Sequence, residues 1–276
     1  MEKALINKLI PFSNVDGPGN RFAIFFQGCP FKCLYCHNPE TINLCINCGK
    51  CINVCPTGAL SNQKGKVVWD KRQCISCDNC LKACQNLASP KVKEYSVREI
   101  IEEIKKVKSF IRGITVSGGE CTNYEAFLVE LFTEVKKIGL SILIDSNGAN
   151  DFSKMLKLLA LSDGVMLDVK AYDDGYHQYL TGRSNKMVLK NLHYLLKNNK
   201  LFEVRTVILP GIDNSITVNE VCKIIKDNVP YKLIKYRPFG VREDGLNVFG
   251  KNKLTDDLFD EIVQIAQKYN ANIITK

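Results

Sequence analysis

The residues of this chain with the clearest chemistry are its cysteines, which number 13 in 276 residues. Eleven of them lie between Cys29 and Cys84, and only Cys121 and Cys222 stand apart from this group. An oxidised secreted scaffold is short and usually has an even number of cysteines, whereas this chain is long and has an odd number. The clustered cysteines therefore predict metal ligation rather than disulfide bonds.

The first group has the spacing Cys29-x3-Cys33-x2-Cys36 and is followed at once by His37. Three thiolates leave one iron of a four-iron cluster without a protein ligand, so that iron can bind a substrate. S-adenosylmethionine (SAM) can chelate it through its amino and carboxylate groups, which places the sulfonium beside the cluster. The alternative is a zinc site with His37 as the fourth ligand. The position of the group after a strand, opposite a Gly-Gly-Glu segment, favours the cluster.

Two further groups have the Cys-x2-Cys-x2-Cys-x3-Cys spacing of bacterial ferredoxins, which bind four-iron clusters. The first run is Cys45, Cys48, Cys51 and Cys55, and the second is Cys74, Cys77, Cys80 and Cys84. In such modules the fourth cysteine of each run ligates the other cluster. We therefore expect Cys84 to complete the cluster of the first run and Cys55 that of the second. A zinc ribbon is the alternative.

Strands and helices alternate along the rest of the chain. The hydrophobic pattern predicts strands at 21–26, 113–119, 141–145, 165–169, 202–209 and 232–236, and helices at 96–108, 124–138, 153–160, 187–197, 218–226 and 256–268. Parallel neighbours need a crossover helix, so the fold class is α/β with about six units, a partial (β/α)6 barrel. Residues 1–39 and 91–276 form this barrel, and residues 40–90 are predicted to be an inserted domain.

The carboxyl ends of parallel strands meet at one edge of the sheet, where the chemistry of such folds is found. The polar and cysteine residues that follow the predicted strands are Cys29, Ser117, Gly118, Gly119, Glu120, Asp145, Asp168, Lys170, Arg205 and Arg237. We expect them to converge on one rim. A rim carboxylate can also be a solvated or helix-capping acid, which is the alternative for Asp145 and its neighbours.

The composition and charge of the chain limit the class of protein and the partners it can have. Apolar residues make up 45% of the chain and charged residues 24%, as in globular proteins. The formal charge of +9 is spread thinly as lysine on helix faces, and metal-bound thiolates would reduce it, so it does not indicate a nucleic-acid partner. There is no apolar run of membrane-spanning length and no signal-peptide core, so we expect a cytoplasmic protein with no membrane partner.

A resemblance to a known family rests on the residues around the first cysteine group. The segment Gly17-x-Gly19-x-Arg21-x3-Phe25-x2-Gly28 leads directly into that group, and Asn38 follows it. This pattern resembles the signature of the radical-activating branch of the radical SAM enzymes. With the two-cluster insertion, which resembles that of the glycyl-radical-enzyme activases, the similarity covers nearly the whole chain. Residues 10–19 and 117–121 are most similar to the YjjW-type activases.

The resemblance implies a role for each rim position. The catalytic cluster is bound by Cys29, Cys33 and Cys36. Gly118, Gly119 and Glu120 match the segment that receives the methionine amino group of SAM, where a side chain would block close approach of the backbone. The stretch beside the adenine is Tyr35, Cys36 and His37. The residues that hold the ribose and carboxylate ends are Asp168, Val169, Lys170 and Arg205. The last match is to a monovalent-cation site beside the SAM carboxylate, and its residues here are Asp145, Ser146, Met166 and Asp168.

The function implied is that of a glycyl-radical-enzyme activase with three 4Fe-4S clusters. It would cleave SAM to methionine and a 5′-deoxyadenosyl radical, which removes a hydrogen from a glycine of a partner enzyme. A flavodoxin or a ferredoxin-type protein is the expected electron donor. The alternatives are a radical SAM enzyme acting on a small molecule and a non-catalytic iron–sulfur electron-transfer protein.

Two positions depart from the family pattern. Cys121 stands where the family often has proline, and Gly240 stands where it often has histidine. We expect Cys121 to be a buried thiol, and the SAM contact of that histidine to be missing here.

Overall fold

The computed structural model describes residues 2–252, 254–269 and 272–275. The strands in these residues are β1 Lys3–Ser13, β2 Arg21–Phe26, β3 Leu60–Gln63, β4 Lys66–Trp69, β5 Lys93–Ser96, β6 Gly113–Gly118, β7 Ser141–Ser146, β8 Gly164–Asp168, β9 Leu201–Ile208, β10 Tyr231–Lys235 and β11 Ile273–Ile274. The helices are α1 Lys50–Asn53, α2 Asn79–Lys82, α3 Val97–Val107, α4 Glu125–Lys137, α5 Leu156–Leu161, α6 Asp174–Thr181, α7 Lys186–Lys197, α8 Ser215–Ile225, α9 Glu243–Phe249 and α10 Asp256–Gln267.

Nine of these strands form one main sheet, in the order β11-β10-β9-β8-β7-β6-β2-β1-β5. The six strands from β2 to β10 in this order pair in parallel, which confirms the predicted α/β series of six units. The order ends at β5 and β11, and no pairing joins these two strands among the residues described, so the sheet is open. The interior strands are buried on both faces, as expected where helices cover a parallel sheet.

The helices begin and end close to the predicted positions because their local signals are strong. Ser96 caps α3 through the expected capping box with Glu99, and Ile100 and Ile104 of this helix are fully buried. The prediction of one helix at 153–160 is wrong in its first turn. There Asp151 accepts a hydrogen bond from Ser153 N and caps a separate 3-10 turn before α5 begins.

The sequence did not predict strands β1 and β5 or helices α6 and α9, and the two helices bear on the site. Strand β1 pairs antiparallel with β2, and β5 pairs antiparallel with β1, so these two strands extend the sheet at one edge. Helices α6 and α9 are short, and each contains a glycine that weakens its helical pattern. Both pack beside the loop that carries the first cysteine group, as described below.

Residues 40–90 build a small unit outside the main sheet. Strands β3 and β4 form a separate antiparallel hairpin, joined by Lys64 and Gly65. Both turn residues have positive φ, at 51° and 78°, which matches the twist of a tight hairpin. The unit has its own apolar cluster around Leu60, in which Cys51 and Cys80 are also buried.

None of the helices in the described parts of the chain is both long and apolar enough to cross a bilayer.

Candidate functional site

Cysteine, acidic and basic side chains surround a cavity of about 230 Å³ at the carboxyl ends of the parallel strands. Most of the predicted rim residues line it: Cys29, Cys33, Tyr35, Cys36, His37, Ser117, Gly118, Gly119, Asp145, Ser146, Asp168, Lys170 and Arg205. Strands β6, β7, β8, β9 and β10 each contribute, and the loop after β2 carries the cysteines, so parallel pairing brings together residues that are far apart in sequence. Glu120, Val169, Met166 and Arg237 are not among its lining residues.

The first cysteine group occupies one wall of this cavity. Burial raises the pKa of Cys36 to about 12, and it raises the pKa values of Cys29 and Cys33 as well. A buried thiolate therefore needs a positive partner, such as a metal ion, to be stable here. Asn147, which the sequence did not single out, donates a hydrogen bond from Nδ2 to the Cys29 sulfur over 3.3 Å.

The loop that carries these cysteines is held by the two helices that were not predicted. The backbone N–H groups of Lys32 and Leu34 donate to the carbonyls of Thr181 and Leu180 at the end of α6. Arg242, immediately before α9, donates to the carbonyl of Lys32 over 2.8 Å. The positions of the three sulfurs are thus fixed by contacts distant in sequence.

The zinc alternative needs a compact set of ligands, which the side chains of the described residues do not form. The imidazole Nε2 of His37 lies 2.9 Å from the carbonyl oxygen of Arg237, so only Nδ1 of this ring is left for a metal ion. Within the described ranges, no three His, Cys, Asp or Glu side chains converge closely enough to hold a single metal ion. A four-iron cluster spaces its thiolates more widely than one ion does, so three cysteines on one cavity wall remain compatible with a cluster.

The glycines at the end of β6 and directly after it are also required by the backbone that surrounds them. A Cβ on Gly118 would overlap the backbone of Phe26, and a Cβ on Gly119 would overlap the carbonyl of Gly28. Gly118 also has a φ of 115°, which side chains rarely adopt. The glycines therefore let the end of β6 lie against the end of β2, which positions the cysteine loop beside the rim.

Glu120 lies beneath the cavity wall, with an exposed fraction of only 1%. Its Oε1 accepts hydrogen bonds from the Thr122 N–H, the Thr122 hydroxyl and the Ser146 hydroxyl, and its Oε2 accepts one from the Asn147 N–H over 2.8 Å. Burial raises its pKa, although these hydrogen bonds oppose the rise. The carboxylate thus joins the ends of β6 and β7 and supports Asn147.

Charged pairs form the floor of the cavity. Lys170 Nζ lies 2.9 Å from Asp168 Oδ2, and the same ammonium is 5.7 Å from the centre of the Tyr35 ring. Arg205 pairs with Asp145 at 3.1 Å and with Glu203 at 2.5 Å. Burial opposes the charged forms of both bases, but neighbouring acidic groups, chiefly Asp168 for Lys170 and Asp145 for Arg205, outweigh it and raise their pKa values. Both bases therefore stay cationic.

Asp145 is a buried carboxyl group whose pKa is raised. Burial raises it to about 6, while Arg205 opposes the shift. The Ser117 hydroxyl also donates to Asp145 over 2.8 Å.

The four residues predicted to hold a monovalent cation already have protein partners. Asp145 and Asp168 pair with Arg205 and Lys170, the Ser146 hydroxyl donates to Glu120, and the Met166 sulfur lies 2.9 Å from the Arg205 guanidinium. Val169 is buried, and its N–H and carbonyl bond to Arg205 O and the Thr206 hydroxyl. Its contribution is to hold β8 against β9.

Two smaller cavities lie within residues 40–90, and each is lined by four cysteines. The first is surrounded by Cys45, Cys48, Cys51 and Cys84, and the second by Cys55, Cys74, Cys77 and Cys80. Each cavity thus combines three cysteines of one run with the last cysteine of the other, which is the grouping that crossover ligation requires. Cys121 and Cys222 are fully buried away from all three cysteine groups.

Gly240, at the position where histidine was expected, contacts the cysteine loop through its backbone. It has a φ of 80°, and a Cβ there would overlap the carbonyl of His37. A side chain at this position would therefore displace the loop, which explains glycine here.

Comparisons with known proteins identify the family and the fold. A model of the Radical SAM superfamily matches residues 23–219. A choline trimethylamine-lyase activating enzyme of Oleidesulfovibrio alaskensis is 32% identical over 77% of this chain and 74% of its own length. A putative glycyl-radical enzyme activating enzyme of Haemophilus influenzae is 30% identical over 88% of this chain and 86% of its own. The crystal structure of QueE from Escherichia coli shares the fold, with a TM-score of 0.52 and 13% identity over 99% of this chain and 95% of that one.

Proposed function

The chain belongs to the radical SAM superfamily and, within it, to the glycyl-radical-enzyme activating enzymes, and from this membership we propose its reaction. It cleaves SAM reductively and generates a radical on a glycine of a separate partner enzyme. The observation that carries the proposal is the single cavity that combines the three cysteines with Lys170 and Arg205. The YjjW-type subgroup remains a prediction.

Cys29, Cys33 and Cys36 are the residues that would hold a 4Fe-4S cluster in this cavity. No fourth cysteine lines it in the described part of the chain, so one iron is left for an exogenous ligand. When bound, the cluster supplies the electron that breaks the sulfonium bond of SAM. Asn147 donates a hydrogen bond to the Cys29 sulfur, which stabilises the thiolate form.

The charged residues of the floor orient SAM by complementarity. Lys170 and Arg205 remain cationic and attract the methionine carboxylate, while the Asp168 carboxylate can accept hydrogen bonds from the ribose hydroxyls. The backbone carbonyl groups of Gly118 and Gly119 can accept hydrogen bonds from the methionine amino end. We assign Tyr35 and His37, which lie on the same wall as the cysteines, to the adenine side.

We further propose that each of the two four-cysteine cavities holds an accessory 4Fe-4S cluster, which gives three clusters per chain. The crossover grouping of the cysteines supports this assignment. A monovalent cation has less support, because both carboxylates of the expected site are paired with basic side chains. The proposed function does not require it.

The test is anaerobic reconstitution with iron and sulfide, followed by reduction with dithionite in the presence of SAM. We expect methionine and 5′-deoxyadenosine in equal amounts. Cys33→Ala should abolish both products, because two thiolates cannot hold the cluster. Cys222→Ala is the matched control, since it removes a buried thiol outside the cavity and should retain cleavage. Failure of the parent to cleave SAM would contradict the proposal.

A further inference from the structure

A cleft of about 380 Å³ lies where the edge of the main sheet meets the unit formed by residues 40–90. Strand β1 lines it with residues 6–9 and Pro11, and the other walls are Trp69, Lys71, Lys91, Lys93, Tyr95 and Glu103. We call this the basic cleft. It is separate from the SAM cavity, and the reaction proposed above uses none of its residues.

The basic cleft carries an excess of positive charge. Four lysines line it, against one carboxylate, and that carboxylate of Glu103 is already paired with Lys106 at 2.6 Å. Lys91 is held by Asp78. The remaining Lys8, Lys71 and Lys93 are exposed, and in the residues described none of the three has a carboxylate within ion-pair distance. Their charge is thus available to a partner.

One layer of side chains separates the basic cleft from the second four-cysteine cavity. Trp69 and Lys91 line both spaces. Lys93 lies 5.5 Å from the centre of the Trp69 ring on the side of the cleft. On the other side, Trp69 lines the second four-cysteine cavity together with Cys74 and Cys77. The indole is therefore in contact with both the cleft and the cysteines.

We propose that the basic cleft is the docking site for the acidic face of an electron-donor protein, an inference that rests on the proposed function. The exposed lysines surround an aromatic and aliphatic floor, which is the charge and surface pattern that an acidic protein face complements. Because the basic cleft lies one side chain away from the cysteines of the second cavity, a docked donor is close enough to pass an electron to an iron–sulfur group held there. One electron leaves the donor, which is oxidised, and the iron–sulfur group of the second cavity is reduced, with no bond made or broken.

The test is a binding titration of the reconstituted protein with a purified acidic flavodoxin as the probe, under anaerobic conditions. Lys71→Glu and Lys93→Glu should each weaken binding by about tenfold at low ionic strength, because each replaces attraction by repulsion at the interface. The loss should shrink as salt is raised toward 1 M, where the screening length is about 3 Å. Lys157→Glu, with the same charge change on α5 outside the basic cleft, should bind like the parent.

A second readout separates this inference from the proposed function. Cleavage of SAM with dithionite, a small reductant, should be unchanged in Lys71→Glu and Lys93→Glu. Flavodoxin affinity retained in both variants, or lost equally in Lys157→Glu, would overturn the docking site. A parent protein that binds flavodoxin through these lysines but does not cleave SAM would instead overturn the proposed function alone.

Discussion

Replacing Glu120 tests whether this buried carboxylate contacts SAM or holds the rim together. Its oxygens accept four hydrogen bonds, two of them from the backbone N–H groups of Thr122 and Asn147. The geometry predicts a positioning role, so its replacement should lower the free energy of unfolding more than it lowers the affinity for SAM.

The magnitude follows from the groups that lose a partner. In Glu120→Ala the two buried N–H groups lose their acceptor, at a cost of about 1–3 kcal/mol each, so we expect a loss of roughly 2–6 kcal/mol in the free energy of unfolding. In Glu120→Gln the amide oxygen can keep the bonds made to Oε1. Its NH2 group then faces the Asn147 N–H, and losing that one charged hydrogen bond costs about 1.5–3 kcal/mol.

Urea unfolding of the apoprotein measures these losses, and equilibrium binding of SAM to the reconstituted protein measures the ligand contact. Glu102→Ala is the matched control, because Glu102 forms an exposed pair with Arg98 that contributes at most about 1 kcal/mol. We expect the order of destabilisation Glu120→Ala, Glu120→Gln, Glu102→Ala. A large loss of SAM affinity in Glu120→Gln with unchanged stability would refute the positioning role.

Three further predictions follow from the cysteines and from Asp145. Anaerobic reconstitution should load roughly twelve irons per chain; saturation near four, or stoichiometric zinc, would contradict three clusters. Cys55→Ala should damage the cluster of the second run yet leave SAM cleavage by dithionite, and loss of cleavage as complete as in Cys33→Ala would contradict the separation of roles. Burial raises the pKa of Asp145 to about 6, so between about pH 4 and pH 6 it is protonated in the folded state and ionised in the unfolded state. Its contribution to stability should therefore fall by about 3 kcal/mol as the pH rises through that range, and urea unfolding of Asp145→Asn should lack this fall.

Much of the fold could be predicted because its signals are local. The capping box at Ser96 and the β-branched strands predict elements whose ends agree with the structure within a few residues. The parallel arrangement follows from the alternation alone. Helices α6 and α9 were missed because their short, glycine-containing sequences carry little pattern, although α6 holds the cysteine loop through tertiary hydrogen bonds.

The sequence identified which residues lie at the rim, but it did not reveal the contacts that each of them makes there. Strand ends identify which side chains reach the rim, but they do not reveal which direction a carboxylate faces. Glu120 turns inward because the N–H and hydroxyl groups beneath the wall need an acceptor, and these come from a later strand end. Asn147 gave no sequence signal at all, since an asparagine after a strand is common in loops. Glycine at 118 was predicted for ligand approach, and the structure adds a second reason, the close backbone of β2.

The central claim is that this protein forms a glycyl radical on another enzyme. Electron paramagnetic resonance tests it most directly, on an anaerobic mixture of the reduced, reconstituted protein, SAM and a candidate glycyl radical enzyme. The account predicts a glycyl signal that requires SAM and disappears in Cys33→Ala but persists in Cys222→Ala. Stoichiometric cleavage of SAM with no glycyl signal on any tested partner, together with turnover of a small molecule, would contradict it.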